Sequence, residues 1–172
     1  MARISNTTAY SSIIPTLPDY FVLTDAENNL NTKTCTLENL QTLFGLNTTS
    51  VTIAIPETYL KVIAAQPYTL LAPPGDGYVY DVSEIVSLMI PGSTPYNFVN
   101  TLNITQGTIQ EPLDIDLLNA AAKKVYKNDP SPAEFLPENA GITLGGLASP
   151  SAGNGTLYIN ITYRKLKLDS TF

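Results

Sequence analysis

Thr156-Leu157-Tyr158-Ile159-Asn160-Ile161-Thr162-Tyr163-Arg164-Lys165-Leu166-Lys167-Leu168 is the stretch whose pattern decides the fold class. Leu157, Ile159, Ile161 and Tyr163 fall at every second position, with Tyr158, Asn160, Thr162 and Arg164 between them. A period of two is that of a β-strand, whose successive side chains point to opposite faces; alternation of this kind buries one face against a core. From Arg164 onward the pattern inverts. Lys165 and Lys167 take the face that had been apolar, and Leu166 and Leu168 take the other. A strand leaving the core for solvent or for a neighbouring molecule would read this way.

Working back toward the N-terminus, the small-residue run 145–155 reads as a loop, and Ala140-Gly141-Ile142-Thr143-Leu144 as a strand. Further strands are predicted at Val51–Ile55, stopped by Pro56, and at Tyr68–Ala72, ended by Pro73-Pro74. Leu60–Ala64 is apolar and fits a strand or one helical turn. Gly75-Asp76-Gly77 turns the chain into a long strand over 78–90, whose imperfect alternation predicts a bulge near Val82-Ser83. Pro91-Gly92-Ser93 is a second turn, and the spacing of Phe98, Asn100, Leu102 and Ile104 predicts a strand over 97–104. One segment departs from β. Asp114–Tyr126 is rich in helix formers, with Leu117, Leu118, Ala121, Ala122 and Val125 on one face, acids at its start and lysines at its end. That order suits a helix dipole, so a helix is predicted over 114–126, terminated by Asp129-Pro130.

Residues 1–48 differ in composition, being rich in Asn and Thr with few large apolar clusters. Pro15 and Pro18 favour extended backbone, and residues 1–18 read as an arm. Strands at Tyr20–Thr24 and Thr32–Thr36 flank a turn, and Leu37, Leu40, Leu43 and Phe44 give a short helix over 37–44. So small a core folds only by docking on something else. The division is therefore 1–48, an arm and attachment segment, and 49–172, a β domain. The fold class is mainly β: a jelly-roll-like β-sandwich with one inserted helix, preceded by an extended N-terminal arm and a small strand-strand-helix anchor. The attachment residues expected on the arm and first strand are Ile4, Tyr10, Ile13, Ile14, Leu17, Tyr20 and Phe21. An arm of this kind gains binding free energy by ordering on a partner. Tyr158, Tyr163, Leu166 and Leu168 are the expected subunit interface.

Composition narrows the function. Of 172 residues 44% are apolar, enough for a packed core, and only 14% are charged. Nine basic against 15 acidic residues leave a net charge of −6, which disfavours nucleic acid as a partner. With no histidine, the commonest general base and most zinc sites are missing. Cys35 is the one cysteine, and it reads as a buried, inert thiol. Asp114 and Asp116 form a pair that could hold a cation or do acid/base work, but charge at a helix start accounts for them. The expectation is a non-enzymatic protein with no catalytic residues, cofactor or metal. No export signal and no membrane insertion are expected, since no run approaches the length of about 18 apolar residues that a spanning helix needs.

Two groups of segments carry a family resemblance. The first is Ala2-Arg3-Ile4-Ser5-Asn6-Thr7-Thr8-Ala9-Tyr10, then Leu23-Thr24-Asp25, Thr32-Lys33-Thr34 and the leucine-rich turn Thr36–Leu43. It resembles N-terminal attachment segments of tailed-bacteriophage virion proteins. The second group is Leu71-Ala72-Pro73-Pro74-Gly75-Asp76-Gly77-Tyr78-Val79-Tyr80, Pro95-Tyr96, Glu138-Asn139-Ala140-Gly141-Ile142, Gly153-Asn154-Gly155-Thr156-Leu157 and Ile161-Thr162-Tyr163-Arg164. It resembles small phage structural β-sandwich modules. The resemblance implies a virion component: a head fibre, a capsid decoration protein or a tail-associated fibre. It also implies a homo-oligomer, commonly a homotrimer, held to other virion proteins (capsid, portal or tail) by the N-terminal segment. The rival expectation is a receptor-recognition adhesin binding host surface glycans through exposed tyrosines, asparagines and threonines.

Overall fold

The computed structural model describes residues 20–25, 31–37, 40, 48–128, 130 and 136–168. The chain divides between Asn47 and Thr48 into two compact units. In the first, β1 (Tyr20–Asp25) pairs antiparallel with β2 (Asn31–Thr36), Tyr20 opposite Thr36 and Asp25 opposite Asn31. Leu37 and Leu40 are helical. The arm 1–18 and the rest of the predicted 37–44 helix lie outside the described residues.

The second unit is mainly β. Its strands are β3 (Thr49–Pro56), β4 (Tyr68–Leu71), β5 (Tyr78–Pro91), β6 (Leu102–Gln106), β7 (Ile109–Pro112), β8 (Lys124–Asn128), β9 (Ile142–Gly146) and β10 (Gly155–Lys167). Single helical turns α1 (Glu57–Leu60) and α2 (Ile115–Leu118) lie between strands. The strands form two antiparallel four-stranded sheets, in the orders β3-β10-β5-β8 and β4-β9-β6-β7. One apolar cluster joins their facing sides, consistent with a β-sandwich. Ile55, Ile85, Met89, Leu157, Ile159 and Ile161 come from the first sheet, and Leu70, Leu102, Ile104, Ile142 and Leu144 from the second. Leu157, Ile159 and Ile161 are fully buried, so the alternation in the central strand β10 does what its period requires. β5 carries the expected bulge. Thr162 faces Glu84 while Tyr163 faces Val82, leaving Ser83 as the extra residue, whose Oγ donates to the Thr162 carbonyl at 3.1 Å.

Three elements depart from the sequence reading. The helix expected over 114–126 is helical only over Ile115–Leu118, and Lys124–Asn128 is a strand pairing with Ile85–Met89 of β5. Asp114 caps the turn by accepting from the Asp116 amide at 2.7 Å. Leu117 and Leu118 are buried, but Ala121, Ala122 and Val125 are exposed. The open edge of β5 offers backbone hydrogen bonds that outweigh local helix propensity. The strand expected over 97–104 begins only at Leu102. Asn119 occupies both backbone groups of Phe98, accepting from its amide at 2.7 Å and donating to its carbonyl at 2.9 Å, so no ladder can form there. Finally, β7 has no counterpart in the sequence reading. It is the return of a two-residue hairpin, with Gln106 opposite Ile109.

Asparagines hold the connecting loops. The Asn154 side chain accepts from the Thr94 amide at 2.8 Å and donates to Ser93 Oγ at 3.1 Å. Asn97 accepts from the Ala152 amide at 2.9 Å, and Asn139 from the Gly75 amide at 3.0 Å. Neutral amides thereby hold much of the loop backbone, joined by the Glu138 carboxylate, which accepts from the Gly77 amide at 2.7 Å. Beside these loops Tyr96 is 3% exposed, and its hydroxyl donates to the Gly155 carbonyl at 3.0 Å. Burial, and secondarily the Glu57 carboxylate, push its phenol from 10.0 up to about 12. The folded state thus holds this proton more tightly than the unfolded chain. The stability it contributes is whole below pH 10.0 and is lost as pH rises toward about 12. Urea titrations across that window are expected to show a falling midpoint, with a shallower fall in Tyr96→Phe. Equal slopes for the two proteins would refute the assignment.

Candidate functional site

The expected site residues fall in different places. Ile4, Tyr10, Ile13, Ile14 and Leu17 lie outside the described residues. Tyr20 and Phe21 sit on β1, opposite Thr36 and Cys35. The Cys35 thiol is half-buried and donates to the Thr36 carbonyl at 3.4 Å. Of the four residues expected at a subunit interface, Tyr158 projects from the outer face of β10, whereas Tyr163 turns inward. Its ring packs on the core and meets Tyr80 edge-to-face, 4.9 Å between centroids. Leu166 is half-buried. Leu168 is exposed, and its amide donates to the Gly77 carbonyl at 2.7 Å. Lys165, expected to mark a strand leaving the core, stays paired opposite Tyr80. Its ammonium donates to the Pro74 carbonyl at 2.6 Å and lies 4.2 Å from the Tyr78 ring centroid.

The outer face of the β3-β10-β5-β8 sheet brings together residues that no sequence spacing connects. Registers place Ala54, Tyr158, Leu88 and Val125 in one row across all four strands. Ile90, 39% exposed, borders the row, and Val125 is 59% exposed. Such cross-strand neighbours form a continuous apolar surface. Beside it runs a polar ladder. Ser50 Oγ donates to Asn160 Oδ1 at 3.0 Å, and Asn160 Nδ2 donates to Thr52 Oγ1 at 2.8 Å. At the far side Lys127 pairs with Glu84 at 3.0 Å. Beyond Tyr163, the outer face carries the Arg164–Asp81 ion pair, in which both Nε and Nη2 donate to Asp81 Oδ2. An apolar row with a satisfied polar flank suits contact with another protein surface.

Two concavities also open on the described residues. One of about 190 Å³ opens between the sheets, with Val82, Ile85, Ile104, Ile109 and Ile142 in its wall and Gln106 and Glu111 among its polar groups. The other, about 370 Å³, is a shallow hollow on the outer face of the second sheet, lined by Asn103, Thr105, Gln110 and Thr143 beside Gly145 and Gly146. Pro67 and Leu147 border it, and its polar side chains are amides and hydroxyls, which recognise by hydrogen bonding and do not exchange protons near neutral pH. Among the described residues no group of three or more acidic or cysteine side chains could hold a metal ion. Sequence reasoning missed Ala54, Leu88 and Val125 because their adjacency depends on strand pairing; Tyr158 was legible as the one large aromatic on the polar face of β10.

No family model matches the chain, and neither does any curated protein or solved structure.

Proposed function

We propose that this chain is a non-enzymatic structural protein of a virion, a head fibre or capsid decoration protein of the tailed-bacteriophage kind. Residues 1–48 attach it to the particle, and the β-sandwich associates with further copies. The observation that carries the reading is the nesting of the eight sandwich strands. β3 lies beside β10, β4 beside β9, β5 beside β8 and β6 beside β7. One long antiparallel ribbon folded over on itself would give this order, which supports a jelly-roll winding, an architecture used by viral capsid and lectin domains. Fold alone assigns no role. What supports assembly over catalysis is the chemistry of the surface: an exposed apolar row on the first sheet, loops closed by neutral amides, and a chain without histidine. Several anchors per oligomer would raise attachment well beyond one arm's affinity.

The test is immunogold electron microscopy of particles from the source virus, with antibody against residues 49–172. Regular labelling of the head is expected. Labelling confined to the tail would move the protein to the tail apparatus and favour glycan-binding receptor recognition, with the polar hollow around Asn103 and Thr143 as its site. Intact particles without label would refute the proposal.

A further inference from the structure

The two sheets have four edges, and three of them are guarded against pairing with another chain. β8 carries Lys124 and Lys127. β7 is four residues long and contains Glu111 and Pro112. β4 is also four residues long, and its register is irregular between Thr69 and Leu71. Shortness, charge, proline and bulges are the devices by which sheets avoid edge-to-edge association. The fourth edge lacks them. β3, Thr-Ser-Val-Thr-Ile-Ala-Ile-Pro over Thr49–Pro56, is eight residues long, pairs in unbroken register with β10, and contains no charged residue. Its one proline stands at the very end. Among the described residues β10 is its sole ladder partner, and no turn, loop or cap hydrogen bond reaches it. Alternate amides and carbonyls along its other side therefore face outward.

We propose that the β3 edge is the self-association site of the domain, and that its occupant is β3 of a second copy, paired antiparallel about a two-fold axis. A strand pairing with itself makes an isologous, closed contact. Because β3 is uncharged, no like charges meet across the axis; two copies of β8 in the same arrangement would oppose their lysines. The pairing would join two four-stranded sheets into one of eight, and it would continue the Ala54–Tyr158–Leu88–Val125 row from one copy into the next. Backbone hydrogen bonds would supply affinity and the exposed apolar side chains the added burial. This deepens the oligomer part of the proposed function and is independent of where on a particle the protein sits.

The experiment uses the full chain. Light scattering after size exclusion gives its mass, and hydrogen exchange read by mass spectrometry gives the protection of residues 49–55. Expected are a mass twice that of the chain, slow exchange in β3, and a halved mass with fast β3 exchange in Ala54→Lys. Ala54 is exposed and has no polar side-chain partner to lose, and an unchanged melting curve would show that the variant folds. Thr69→Lys, exposed on the edge strand β4 of the other sheet and outside the apolar row, is expected to leave the mass unchanged. An oligomer that survives Ala54→Lys but is broken by Val125→Lys, within the row, would overturn the edge contact and put the interface on the sheet face. An oligomer insensitive to both would overturn the edge contact alone. A monomer with β3 protected would show that residues 1–47 of the same chain cover the edge, and a monomer with β3 unprotected would sink the oligomer reading as well.

Discussion

Gly153→Ala is expected to cost the domain about 2–6 kcal/mol, a large part of the roughly 5–15 kcal/mol that holds such a domain together. Two effects add. Gly153 has φ +114°, a conformation L side chains rarely adopt, and holding alanine there costs about 1–3 kcal/mol. The new Cβ would also stand 2.5 Å from Tyr96 Cα and 2.5 Å from Cδ1 of its ring. Tyr96 cannot give way cheaply, because it is buried against Phe98 and its hydroxyl is bonded to Gly155. Forcing it aside costs about another 1–3 kcal/mol. Gly77→Ala separates the two effects. Its φ is +75°, but a Cβ there meets nothing within 4 Å, so only the backbone contribution of about 1–2 kcal/mol is expected. Urea unfolding followed by far-ultraviolet circular dichroism measures both. Should Gly153→Ala prove no worse than Gly77→Ala, the close approach of the 152–154 loop to Tyr96 would be wrong.

The second large effect contrasts neighbours on one strand. Ile159→Ala is expected to cost about 3–4 kcal/mol, because Ile159 is fully buried at the centre of β10, between β3 and β5, and truncation leaves a cavity that rigid sheets cannot close. Tyr158→Ala, one residue away on the outer face, is expected to cost about 1 kcal/mol, the worth of cross-strand contacts with Ala54 and Leu88. The same unfolding experiment reads both. Equal costs would mean that β10 does not bury one face and expose the other, and the outer row would lose its standing as an association surface.

How legible the molecule was from sequence depends on the reach of each interaction. β10, β5 and the β5 bulge are local patterns: an alternation needs only its own residues, and the break at Val82-Ser83 is visible without knowing the partner strand. The 114–126 segment misled because its composition satisfies a helix, while its C-terminal half is captured by the edge of β5, nearly forty residues upstream in the chain. Phe98 misled for a related reason. Nothing near it reveals that Asn119 will take both of its backbone groups. The candidate surface divides in the same way. Tyr158 could be read from its position among polar residues, but Ala54, Leu88 and Val125 join it only through three registers.

By itself, then, the sequence determined that the chain is mainly β, where its longest strands run, which face of β10 is buried, and that no histidine-based chemistry is available. These follow from side-chain periodicity and composition, which are properties of the chain alone. The tertiary structure decided which strands are neighbours, which four become edges, and that β3 is the unguarded one. Pairing in a sheet joins residues as much as 114 positions apart, as Thr49 and Tyr163 are. At that separation the partner is selected by the free energy of the whole sandwich, and no local pattern in either strand can name it.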